Sequence, residues 1–290
     1  MSDADTAARR RLGAVVLAVL ISQVLLYPGV PALVVALGAP AGIDAGMWFL
    51  VAEFGAFVAF AVVWGALSDA LGKRVPLIVA GALGGAASYV ALASLPALGL
   101  GFEAALLVRA VGGALTIGAF SLSITLLMDL RGGNGRNMGA AGLAIGLGAA
   151  VGSVVGGFLA GFGALYPVYA GAVVLAAAGL LAATVDDRAA TESREAGTDS
   201  GATDEVGFAD VLARARTTPG LLVPLAFGFV DRLTAGFFAL VGVYYFQDPA
   251  TFGLSAAGAG ATLALFFVPF ALLQSPFGAL SDRIGRFLPV

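Results

Sequence analysis

Long apolar runs separated by short, turn-rich connectors dominate the pattern of this chain. Eight runs reach the roughly 20 residues that a helix needs to cross a bilayer. They cover 12–37, 46–67, 75–95, 102–128, 138–162, 164–185, 219–246 and 256–277. Connectors such as Gly38–Asp44, Leu95–Gly101 and Arg131–Asn137 carry the Gly, Pro and Asn that favour turns. The first run follows Arg9-Arg10-Arg11 but is too long for a signal core, so it reads as an uncleaved helix. The pattern predicts an all-α integral membrane protein in three parts: a six-helix bundle over 1–185, a polar acidic linker over 186–217, and a partial bundle over 218–290 holding spans seven and eight and the start of a ninth.

Composition agrees. Apolar residues make up 60% of the 290 residues and charged residues 11%. A soluble domain is about 45–50% apolar and about 25% charged, so this chain has too little polar surface to coat a globule. The 42 glycines suit helices that pack closely in lipid. Without Cys or His, thiol nucleophiles, disulfides and the commonest general base and metal ligand are all excluded. No catalytic constellation remains, and the chain is not expected to be an enzyme or to need a cofactor or metal.

The net charge of −3 is unevenly spread. Residues 186–217 hold eight acids and four arginines, or −4, which leaves the remainder at +1. Lys and Arg accumulate in cytoplasmic loops. With the N-terminus inside, 13 of the 15 basic residues fall on the inner side and none in an outer loop. The other two, Arg109 and Arg232, lie inside spans four and seven. The expected location is the plasma membrane, spanned many times, with a cytoplasmic N-terminus.

One segment occurs twice. After span two the chain reads Gly65-Ala-Leu-Ser-Asp69-Ala-Leu-Gly72-Lys73-Arg74-Val-Pro76, and after span eight Gly278-Ala-Leu-Ser-Asp282-Arg-Ile-Gly285-Arg286-Phe-Leu-Pro289. Seven of these twelve positions are identical at a constant offset of 213. Span eight therefore corresponds to span two, the mark of parallel repeats in a carrier. These residues resemble the loop signature of the major facilitator superfamily. Arg109-x-x-Gly112-Gly113 is similar to that family's intramembrane arginine motif, with Gly112 in place of the usual Gln. Gly139, Gly148, Gly152, Ser153, Gly156 and Gly157 look like its antiporter motif, with Ser153 in place of the usual proline.

The resemblance implies a twelve-helix protein of which this chain is a C-terminally truncated piece. It implies that Asp69 faces an eleventh span, and that Asp282 faces the start of span five near Asn137–Gly139, each latching the cytoplasmic side in one state. Gly65 and Gly278 would allow the close approach such latches need. Gly148, Gly152 and Gly156 recur on one helical face and read as a packing seam.

The charged groups inside spans are the candidates for substrate or proton handling. Arg109 either snorkels or, with Gly112, Gly113, Thr116, Phe120 and Ser123 on its face, lines a water-filled cavity. Asp231 and Arg232 are adjacent near the middle of span seven and point about 100° apart, so each needs its own surroundings, as a structural ion pair or as a substrate site. Glu53 is either a proton-exchanging carboxyl group or an inert protonated one beside Phe57, Phe60 and Trp64. Gln23, Tyr27, Tyr244 and Gln274 are polar points on apolar helices. Together these imply a secondary transporter that moves a small organic solute by alternating access, with proton-coupled efflux the favoured mode. The alternatives are an uptake carrier for a sugar or organic acid and a non-transporting truncated remnant. The partners are the lipid bilayer, a small-molecule substrate and protons as coupling ion, with no nucleic acid.

Overall fold

Segments this apolar must satisfy their own backbone N–H and C=O groups, and a helix does so without neighbours. The computed structural model describes residues 3–130, 133–187 and 222–284. Every regular element among them is helical: α1 Asp3–Val24, α2 Val30–Ala36, α3 Ile43–Leu71, α4 Val75–Ser94, α5 Phe102–Met128, α6 Asn134–Ala160, α7 Tyr166–Ala182, α8 Leu222–Phe237, α9 Val243–Gln247 and α10 Ala256–Ile284. A 3-10 turn, Tyr27–Gly29, joins α1 to α2, and a π turn, Phe238–Gly242, joins α8 to α9.

Each of the eight expected runs is helical over most of its described residues. Seven stretches among the described residues are long and apolar enough to cross a membrane. The sixth run forms α7, which has 17 residues and falls short of that length by a turn. One departure concerns the first run, expected as a single helix. It breaks after Val24, because Pro28 and Pro31 lack the N–H that would continue the ladder and instead open the next turns.

The helices alternate in direction, so the ends rich in arginine gather together. Arg9 Nε donates to Asn137 Oδ1 at 3.0 Å, tying α1 to α6, and Arg11 donates to the Thr184 carbonyl at 2.6 Å, tying α1 to α7. Arg74 at the start of α4 forms an ion pair with Asp129 at the end of α5. Six helices surround one apolar core, in which α1 packs on α5, α6 and α7, α3 on α5, and α4 on α5 and α7. Trp64 in α3 donates its indole N–H to the Ala114 carbonyl at 2.6 Å and fixes the register of α3 on α5.

The second part adds to one side of this bundle. Its α10 runs along α6 for most of both lengths. At the end poor in basic residues, Tyr244 of α9 donates to the Gly42 carbonyl at 3.0 Å, and Gln247 Nε2 to the Pro28 carbonyl at 2.8 Å. Toward the other end, Leu222, Val223, Phe227, Phe229, Val230, Leu233 and Phe237 of α8 are all more than half exposed. The two parts are therefore joined along α6 and α10 and, at the end poor in charge, also through α9, while among the described residues α8 leaves an apolar face exposed toward the basic end.

Candidate functional site

Glu53 of α3 and Arg109 of α5, weighed separately in the sequence, meet as an ion pair between Glu53 Oε2 and a terminal nitrogen of Arg109. Each side chain is only 2% exposed. At 1.5 Å per residue they lie about 15 Å and 10 Å along helices that start at the same end, so both sit well inside the hydrocarbon. An unpaired charge there would be costly, and the pair is neutral.

Their meeting depends on small residues. A Cβ on Gly113 would lie 3.1 Å from Glu53 Cα, so only glycine lets α3 come this close to α5. Gly112 lies against the side chain of Ser88 on α4. Thr116 returns its hydroxyl to the Gly112 carbonyl at 2.8 Å, and Ser123 is fully buried. The small, polar face of span four, open in the sequence to a snorkelling arginine or a water-filled cavity, is where α3 and α4 pack. Short side chains permit backbone approach as readily as they admit water.

The Arg109 guanidinium lies over the Phe49 ring at 4.6 Å and the Tyr89 ring at 5.6 Å, distances at which cation–π attraction holds a desolvated cation. Tyr89 donates its hydroxyl to the Ser22 carbonyl at 3.1 Å. Tyr27 is buried, with its ring 6.5 Å from Phe54. Three buried polar atoms, Arg109 Nε, Gln23 Nε2 and Ser123 Oγ, have no hydrogen-bond partner among the described residues. Arg109 Nε and Gln23 Nε2 are donors that an incoming acceptor could satisfy.

The first copy of the repeated loop lies at the basic end. Gly72 closes α3 in the left-handed conformation at φ 62°, with its N–H donating to the Ser68 carbonyl at 2.9 Å. Asp69 and Lys73 are exposed, and Gly65 has open space on the side where a close approach was expected, counting the described residues. Arg74 has two partners: its side chain pairs with Asp129, and its N–H, with that of Val75, donates to the Asp187 carboxylate at 3.2–3.4 Å. No local side chain caps α4, so an acid just past α7 does so from 113 positions away. Replacing Asp187 with Ala is expected to destabilise the fold by about 0.5–1 kcal/mol, the low end for a lost cap given these long bonds. Hydrogen exchange at the Arg74 and Val75 amides would speed up before any other core amide.

In the second copy, a Cβ on Gly278 would lie 3.1 Å from Gly139 Cα, so this stretch of α10 rests on the first turns of α6. The side chain of Asp282, and Gly285 and Arg286 altogether, lie outside the described residues. The same holds for the side chains of Asp231 and Arg232, whose backbone belongs to α8.

The glycines of α6 divide between two neighbours. Gly148 and Gly152 press on Leu17 and Ile21 of α1 and Gly156 on Leu25 just past its end, whereas Gly139 and Gly157 press on α10. Ser153 is fully buried and returns its hydroxyl to the Ala150 carbonyl at 2.9 Å, so α6 continues unbroken through a position where proline would interrupt it.

Sequence reasoning missed Phe49, Tyr89, Asp129 and Asp187. The aromatic pair left no signal, being ordinary apolar positions of apolar helices. The two acids did leave one: Asp129 directly follows a span and Asp187 lies two positions past one, at the end where basic residues are expected.

The family profile described as Major Facilitator Superfamily matches residues 12–288. No curated protein matches the chain.

Proposed function

The chain belongs to the major facilitator superfamily and is a membrane transporter, and from that premise we propose that it exports a small organic solute across the plasma membrane in exchange for protons. The buried Glu53–Arg109 pair carries this reading. With Glu53 ionised, the pair is neutral and stays dry among Phe49, Tyr89 and the glycines of α5. With a proton on Glu53, Arg109 holds an uncompensated charge in a low-dielectric site. That charge must gain water, by opening of the bundle. A solute whose donor or positive charge pairs with Glu53 can bind only while Glu53 carries no proton, so proton and solute compete for one carboxylate, which is the elementary requirement for exchange.

Two further features support the reading. Arg109 Nε and Gln23 Nε2 offer donors that no group among the described residues occupies. The hydrogen bonds of Tyr244 to Gly42 and of Gln247 to Pro28 tie the two parts at the end poor in basic residues, which supports a carrier closed on its outer side if the arginine-rich end is cytoplasmic.

The test uses everted membrane vesicles holding the protein, energised by a pH gradient, with a pH dye reporting proton release as a panel of small organic solutes is added. At least one solute should collapse the gradient with the wild-type protein and none should with Glu53→Gln. Solute flux indifferent to the gradient would overturn proton coupling.

A further inference from the structure

Arg9, Arg10 and Arg11 are equivalent as topology signals, yet the fold treats them differently. Arg10 and Arg11 are exposed, whereas Arg9 is only 9% exposed. Its Nε donates to Asn137 Oδ1 at 3.0 Å, and Asn137, fully buried, donates Nδ2 to the Leu130 carbonyl at 2.6 Å. One amide thus ties three things together: the start of α1, the first turn of α6 and the end of α5. Burying a guanidinium and an amide is costly unless they are paired, so this contact is a built one.

The opposite side of the same turn receives the second part of the protein. Gly135 and Gly139, four residues apart and so on one helical face, lie two positions either side of Asn137, which points the other way. A Cβ on Gly278 would overlap the Gly135 carbonyl, and one on Gly139 would lie 3.1 Å from the Gln274 carbonyl and 3.2 Å from Ser275 Cα. The first turns of α6 are therefore held from behind by Arg9 while α10, carrying the second repeated loop, seats on their front with no spare room.

We propose that Arg9 is a positioning residue for the gate at the basic end: through Asn137 it sets the first turn of α6 at the position that lets α10 close on it. The amino-terminal arm is then part of the gate. This rests on the transporter reading, but its test does not require solute flux.

Because the chain has no cysteine, a single Cys at Gln274, which packs against Gly142 of α6, reports the fit of the seam through its rate of maleimide labelling in the full-length protein in proteoliposomes. Arg9→Gln and Asn137→Ala should each raise that rate about tenfold, the change expected for one lost charge-assisted hydrogen bond. The double variant should be no faster than either single one. Arg10→Gln should leave the rate unchanged, and Arg9→Lys, which keeps the charge and a donor, should restore part of the protection. A thermal unfolding scan accompanies each variant, and if Arg9→Gln fails to fold, Arg9→Lys and Asn137→Ser carry the comparison. Equal rates for Arg9→Gln and Arg10→Gln, or additive effects of Arg9 and Asn137, would overturn the proposal. Absence of solute exchange with these labelling effects intact would instead sink the transporter mechanism and leave the role of Arg9 standing.

Discussion

Replacing Arg109 with Met is expected to destabilise the bundle by about 3–5 kcal/mol, because it leaves the Glu53 carboxylate buried without its counter-charge. Glu53→Leu alone should be of similar size, since it strands the guanidinium. The double variant Glu53→Leu with Arg109→Met should recover most of the loss, as a hydrophobic pair of similar volume fills the same space. Thermal unfolding in detergent, compared across the four proteins, reads the interaction directly. The same set separates structure from transport: if the pair handles protons, the double variant is folded and inactive in the vesicle assay. If instead it exchanges solute for protons as well as the wild type does, the pair is structural.

The second large effect lies in the α1–α6 seam. A Cβ on Gly156 would collide with the Leu25 backbone, and one on Gly152 would lie 2.8 Å from the Ile21 carbonyl. Gly156→Val is therefore expected to cost about 3 kcal/mol, the upper range for overpacking, because backbone atoms cannot rotate out of the way. Gly65→Val, on a glycine with open space beside it, should change stability far less. Size-exclusion profiles and unfolding midpoints of the two variants give the comparison. Equal effects would mean that α1 and α6 lie farther apart than described.

These two predictions also mark what the residues reveal on their own. The helical spans, their alternation and the glycine seam are legible because hydropathy and small-residue spacing act locally, along one segment. Glu53 and Arg109 stood out for the same reason, as charges in apolar runs. That they meet was not legible: it depends on Gly113 allowing α3 against α5, a relation between two helices 56 positions apart. Gly112, Gly113 and Thr116 were legible as a small, polar face, but not what lies opposite it, because small residues look alike whether water or a backbone faces them. Gly65 and Gly278 match in the repeat, yet only Gly278 has a helix against it among the described residues.

The π turn at Phe238–Gly242 fits one more residue into its turn than an α-helix does. Were it ironed out into regular helix, everything beyond it would swivel by about 100° relative to α8. Tyr244 and Gln247 would then swing off Gly42 and Pro28 without α8 having to move. Seen this way, the seventh span can release its far end by a twist about its own axis, a screw motion in place of a tilt.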